Sequence, residues 1–226
     1  RVMDGLDTGY MIGLFPIILS YVPLTLTMAV TAMAGALVLA SAQAIIRIFR
    51  LPVIDQLVAL FISFFRGTPL LVQLFLFYYG LPRVVSALTS IDGVTAAIIG
   101  LTLHFSAYMA ESIRAAILGV DRSQWEASEA IGMTRGQMLR RIILPQAARI
   151  AAPTLMNYFI DIIKSTSLAF TLGVTEMMGA AQKEAAGSFL YLEAFLVVAF
   201  IYWGMVEFFS FFQRQLEVRM QKAFVR

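Results

Sequence analysis

Apolar residues in this chain come in long runs, not in the short alternations that build a soluble core. A helix rises 1.5 Å per residue, so about 20 mostly apolar residues are needed to cross roughly 30 Å of hydrocarbon. Residues 17–46, 93–118, 146–163 and 190–213 meet that requirement. A further run, 53–81, is split by Arg66-Gly67-Thr68-Pro69, which cannot continue a regular helix, and its first half suits the membrane interface. Between the last two runs, Thr166 to Gly187 is too mixed to face lipid. Broken backbone at membrane depth survives only where protein or a water-filled cavity covers it, so this stretch is expected to line something. The pattern predicts an all-α integral membrane protein: one domain, 1–226, with about five transmembrane helices, a polar segment at 121–145 and a basic tail at 214–226.

Composition narrows the chemistry. Only 14% of the residues are charged and 60% are hydrophobic, against about 25% charged in an average soluble domain. The chain has no cysteine, which removes disulfides, thiol catalysis and thiolate metal sites, and its one histidine, His104, cannot build a multi-histidine centre. No G-x-x-x-x-G-K-[ST] occurs to cradle nucleotide phosphates, and the scattered carboxylates form no nucleophile and base set. The expectation is a protein that is no enzyme, with no catalytic residue, metal or cofactor of its own.

The positive charge has a topological reading. With an external N-terminus and five crossings, the inner segments hold Arg47, Arg50, Arg66, Arg114, Arg122, Arg135, Arg140, Arg141, Arg149, Arg214, Arg219, Lys222 and Arg226, thirteen of the 17 Lys and Arg. Arg1, Arg83, Lys164 and Lys183 are left outside or buried, and moving Arg66 into the membrane leaves the favoured orientation unchanged. The basic tail then reads as an anchor beside anionic lipid, with no nucleic-acid partner.

The polar segment between the third and fourth runs is the most informative. Ser123 can cap a helix whose first turn carries Glu126, an acid favoured at the positive end of the helix dipole. Gly132 permits a sharp turn, and a second short basic helix leads to Pro145 in the first turn of the next span. The result is a stiff helix-turn-helix between two membrane helices, more than a connecting loop of this length requires.

Glu126-Ala127-Ser128, Gly132 and Ile142-x-Leu144-Pro145 resemble, in residue type and spacing, the EAA loop of the membrane subunits of ATP-binding-cassette importers; Ser128 stands where that family usually has Ala. Arg66 to Gln73, Tyr78-Tyr79-Gly80-Leu81-Pro82, Ser106-Ala107-Tyr108-Met109-Ala110-Glu111, Leu144-Pro145-Gln146-Ala147 and Lys164-Ser165-Thr166-Ser167-Leu168 are similar to the polar amino acid permeases of the histidine, glutamine, arginine and cystine type, with Ser165 where many relatives have Asp. The resemblance runs from about Tyr21 to Arg219. It implies a type I importer fold with a cytoplasmic coupling helix, in which Glu126, Ala127, Ser128, Gly132, Ile142, Leu144 and Pro145 dock on an ATPase. It implies cytoplasmic ATPase subunits that hold the ATP and Mg²⁺, a second permease subunit of the same or a different chain, and an extracytoplasmic solute-binding protein. The implied location is the bacterial inner membrane, as a multi-pass protein.

Ionisable groups inside spans mark pathways. His104, Tyr108 and Glu111, with Gly100 and Ala115, share one face of the third span; Thr154, Asn157, Asp161 and Lys164 share one face of the fourth. Facing each other across a cavity, and extended by Thr166 and Ser167, these stripes would offer carboxylates to an amino group and donors to a carboxylate, which suits a zwitterionic amino acid. In a second reading, Glu111 pairs with Arg114 and Asp161 with Lys164 at i,i+3, as glue between helices. Tyr78 and Tyr79 suit an interfacial aromatic belt, Glu193 and Glu207 helix ends or packing, and Met177-Met178 beside Gly179 a mobile gate. An ion-coupled secondary transporter remains an alternative, without a visible internal repeat, and a channel-like structural subunit is a third.

Overall fold

The computed structural model describes residues 5–86 and 89–222, which contain helices and turns and, among the described residues, no strand. Helix α1 (Thr8–Leu19) starts where the Asp7 carboxylate accepts the Tyr10 backbone N–H at 2.8 Å. It ends at the Ser20-Tyr21 turn, and α2 (Val22–Phe49) follows with Pro23 in its first turn. The apolar run 17–46 therefore holds a break that hydropathy alone hides.

Helix α2 packs most extensively on α5 (Gly93–Leu118). The contact is made by small residues: Ala29, Ala32, Ala36 and Ala40 are fully buried, and a Cβ on Gly35 would lie 3.0 Å from Thr102 of α5. Lipid offers apolar side chains no hydrophobic reason to leave it, so helices associate through close packing, and small residues allow it.

Between them, α3 (Ile54–Gly67) and α4 (Leu70–Phe75, continued by the π turn Leu76–Gly80 and the 3₁₀ turn Leu81–Arg83) meet at 111°. The bend follows from Pro69. Its ring drives Thr68 into extended backbone (φ −121°, ψ 147°) and its nitrogen cannot donate to the Phe65 carbonyl four residues back. The buried Gln73 amide takes over, donating to Phe65 O at 3.0 Å, Thr68 O at 3.1 Å and Thr68 Oγ1 at 2.8 Å. Leu74 of α4 then presses on α5 at Gly100, where a Cβ would stand 2.5 Å from its Cδ2.

After the polar segment come α8 (Leu144–Ser165), the 3₁₀ turn Thr166–Leu172, α9 (Met177–Ser188) and α10 (Tyr191–Lys222). The mixed stretch is covered by protein: Gly173 takes a left-handed φ of 81°, and Met177, Ala181 and Ala185 of α9 are buried against α1 and α10. By length and apolarity α2, α5 and α10 can cross a membrane alone, and the α3–α4 pair makes a fourth span if counted as one. The run expected at 146–163 falls within α8, which is not among them; Gln146, Arg149, Asn157 and Asp161 lower its apolarity.

Candidate functional sites in the polar loop and along helix α8

Asp121, and not Ser123, caps α6 (Arg122–Ala130): its Oδ1 accepts the Ser123 backbone N–H at 2.8 Å. Hydrogen bonds from the Ser123 side chain and backbone hold the Asp121 carboxyl below its ordinary range. Helix α6 closes with a Schellman arrangement, Met133 N–H donating to Ser128 O at 3.1 Å and Gly132 N–H to Glu129 O at 2.9 Å. Gly132 sits at φ 75° with open space around it, so the backbone angle alone requires glycine there.

Thr134 and Gln137 form a capping box for α7 (Arg135–Met138), which runs through a π turn, Leu139–Ile143, directly into α8. Pro145 lacks the N–H that would bond Arg141 O, and the wide turn falls immediately before it. Met138 and Ile143 pack with Ala116 and Ile117 of α5, with Val120 just beyond its end, and with Ala147 and Ala151 of α8.

The seven loop residues are thus divided by position. Glu126, held at 2.9 Å by Arg122, is solvent-exposed, as are Ala127, Gly132 and the neighbouring Ile131. Ser128 is buried, its hydroxyl bonded to Gln124 O at 2.6 Å, and Ile142 is half-buried. Leu144 and Pro145 lie exposed at the far end.

At membrane depth the two polar stripes do not face one another. The α5 stripe turns to the α3–α4 bend: His104 Nδ1 is 3.0 Å from Gln73 Oε1, and the Tyr108 hydroxyl donates to Arg66 O at 3.3 Å beneath the Arg66 guanidinium. Helices α5 and α8 meet through Phe105 and Tyr108, whose rings lie 6.4 and 6.5 Å from that of Tyr158, and through Ser112, 3.0 Å from the Tyr158 hydroxyl. Helical phase explains the difference, because Gly100 and His104 seat the bend and so cannot also point to α8. Arg114 donates to Glu111 at 2.7 Å and Lys164 pairs with Asp161 at 2.7 Å, the pairs of the second reading.

The α8 stripe is open. Thr154, Asn157 and Lys164 are exposed, Asn157 accepts from Gln213 at 3.0 Å, and Asp161 and Lys164 border a cavity of about 470 Å³ with Phe105, Ser165, Ser167 and Leu168. Thr166 departs from the expected set: it is fully buried and donates to Ile163 O at 2.7 Å, away from that cavity. Lys164 and Ser167 also border a second cavity of about 320 Å³ between the 3₁₀ turn, α9 and α10.

Three residues escape a reading of the sequence. Gln73 sits in an apolar run where its amide reads as a tolerated interruption. Glu176 is fully buried, its Oε1 accepting Gly179 N–H at 2.9 Å and its Oε2 the Tyr202 hydroxyl at 3.0 Å. The only signal for Glu176 is an acid three residues before a glycine at a helix start. Tyr202 gives none. Among the described residues no group of His, Cys, Asp and Glu could hold a metal ion.

The family described as binding-protein-dependent transport system inner membrane component matches residues 36–222. The chain is 60% identical to the probable amino-acid ABC transporter permease protein PatM of Vibrio harveyi, over 98% of this chain and 100% of that one. It is 46% identical to the probable amino-acid permease protein YxeN of Bacillus subtilis (strain 168), over 98% and 99%. A crystal structure of an amino acid ABC transporter with histidines superposes with a TM-score of 0.88 at 31% identity, covering 96% of this chain and 100% of that one. The chain therefore belongs to the family of inner membrane components of binding-protein-dependent transport systems.

Proposed function

We propose that this chain is the permease subunit of an ATP-driven importer of a polar amino acid, working by alternating access. Members of the family are membrane subunits without enzymatic activity, and a separate subunit carries the ATPase. ATP and Mg²⁺ are bound by cytoplasmic ATPase partners. A second permease subunit, alike or different, completes the path, and an extracytoplasmic solute-binding protein delivers the amino acid to the complex in the bacterial inner membrane.

One observation carries this reading: the exposed loop is a mechanical continuation of the helix that bears the polar cavity. Helix α7 passes into α8 without a break in the helical path. From Pro145 to Lys164 is 19 residues, about 28 Å at 1.5 Å each. A push on Glu126, Ala127 and Gly132 is relayed through Ser128, Ile142, Leu144 and Pro145 to Asp161 and Lys164. There the carboxylate suits a substrate ammonium and the lysine a substrate carboxylate, with Ser167 beside them; Asn157 lines the path toward the cytoplasm. His104, Tyr108 and Glu111, with buried Thr166, support the bend and the cavity wall.

The test is radiolabelled amino-acid uptake into vesicles containing the permease, its ATPase and its binding protein. Uptake is expected to require ATP and to fall at least tenfold in Ala127→Arg, whose bulk blocks the docking face. Uptake driven by an ion gradient in vesicles lacking the ATPase would favour the secondary transporter and overturn the reading.

A further inference from the structure

Helix α8 carries a second face, apart from its polar stripe. At 3.6 residues per turn, Leu144, Ala148 and Ala151 lie roughly a third of a turn round the helix from Thr154, Asn157, Asp161 and Lys164. With Leu37 and Ser41 of α2 and Ile117 of α5 they line an apolar groove of about 200 Å³. Its one polar lining group, the Ser41 hydroxyl, donates to Leu37 O at 2.7 Å, so the groove offers a ligand only apolar contact. Leu37 and Leu144 are exposed, as are Val38 and Ile45 of α2. At the loop end the chemistry changes. Arg140 and Arg141 stand in the π turn, one turn before Leu144 and Pro145; both are exposed, and neither makes an ion pair among the described residues. Helical side chains lean toward the N-terminus, so both guanidiniums extend from the end of the groove toward the loop. A larger apolar groove of about 450 Å³, between α1, α2 and α10, has no cation in its lining, and Arg214 further along α10 pairs with Glu207 at 3.7 Å.

We propose that the groove between α2, α5 and α8 binds one anionic phospholipid, with an acyl chain against Ala148 and Ala151 and the phosphate on Arg140 and Arg141. An arginine at the end of a membrane helix lays its stem along apolar surface and keeps its charge in the headgroup layer. There the planar guanidinium matches a phosphate with paired N–H donors. A zwitterionic headgroup carries its own cation, which two neighbouring arginines repel, whereas an anionic headgroup gains from both. The small side chains at 148 and 151 leave the room that the chain occupies. An acidic protein segment would satisfy the arginines but gives no reason for an apolar groove to run on from them. The larger groove, without a cation, takes chains of any phospholipid without preference. The lipid therefore sits at the joint where the loop enters α8, and its site rests on the membrane reading of the fold and on no assignment within the polar cavity.

Phosphatidylglycerol and phosphatidylcholine with the same acyl chains separate headgroup charge from chain contact. The measurement is native mass spectrometry of the detergent-purified permease complex, titrated with each lipid. The wild type is expected to bind one phosphatidylglycerol per copy of this chain about tenfold or more tightly than phosphatidylcholine. Arg140→Gln combined with Arg141→Gln is expected to bring that ratio to within about threefold of unity. Ala148→Phe, at an exposed position, fills the groove and is expected to remove the tight phosphatidylglycerol step. Gly204→Phe, whose Cβ enters open space in the larger groove, is expected to leave that step unchanged. Equal affinity for the two lipids in the wild type overturns the proposal, as does a preference that survives Ala148→Phe. A preference that survives loss of both arginines overturns it too, and if the ATPase leaves that variant the two cations serve a protein partner. Lipid binding in detergent is read without uptake, so it stands or falls separately from the amino-acid reading of the polar cavity.

Discussion

Two of the places where the chain reverses or bends its helices are closed by different means. At the polar loop the helix ends close on partners a few residues away: the Asp121 cap, the Schellman turn at Gly132 and the Thr134–Gln137 box. At the α3–α4 bend, inside the bundle, no water waits for the freed carbonyls, and one fully buried side chain, Gln73, satisfies both Phe65 O and Thr68 O, with His104 of α5 bonded to its other end. In water a helix end can be finished locally; at membrane depth it must borrow a group from its surroundings.

The contrast predicts unequal penalties. Gln73→Leu orphans two carbonyls and the His104 ring in a dry site, at about 1–3 kcal/mol for each unsatisfied group. The expected result is a loss of about 3 kcal/mol or more in reversible unfolding of the purified subunit. A change under about 0.5 kcal/mol, within the range of an ordinary surface substitution, would mean the bend is held by packing alone.

That difference also decides what can be read from residues alone. The loop's elements are legible because their signals are short-range: Gly132 at a turn, Pro145 at a helix start, an acid or hydroxyl before a helix. Even there the pattern points to the wrong cap, since Asp121 and Ser123 both fit it and only geometry separates them. The break at Arg66 to Pro69 is visible because proline carries its own consequence. Its closure by Gln73 and His104, 31 positions apart, is not. For the same reason the expectation that the two polar stripes face each other fails. Periodicity shows that His104, Tyr108 and Glu111 share a face, but not which neighbour that face meets. Glu176 and Tyr202, 26 positions apart, form a contact that no local pattern announces.

The loop should yield more modestly. Gly132→Ala keeps an open site but forces a Cβ into left-handed backbone, at about 1–2 kcal/mol. Hydrogen exchange is expected to rise across 122–138 and stay unchanged at the α3–α4 bend. Equal loosening of both regions would show that the two closures are not independent.

The smallest effect is expected from acid. The Asp121 carboxyl is held below its ordinary range in the folded loop, so its contribution is fully present above the unfolded value, about 3.9, and is lost as pH falls through the lower folded value. Amide exchange in the first turn of α6 should therefore accelerate, relative to its intrinsic rate, only below about pH 4. Asp121→Asn should show no such step. A step persisting in that variant would assign it to another group.

The central claim is that the cytoplasmic loop moves the cavity on α8. Because the chain has no cysteine, Ser165→Cys places a single reporter on the cavity wall. Its labelling by a membrane-impermeant maleimide from the extracytoplasmic side can be followed in vesicles before and after the ATPase is trapped with nucleotide. The account predicts that trapping changes the labelling rate at least fivefold with the native loop and leaves it unchanged with Ala127→Arg. A nucleotide-dependent change of the same size in both would contradict it.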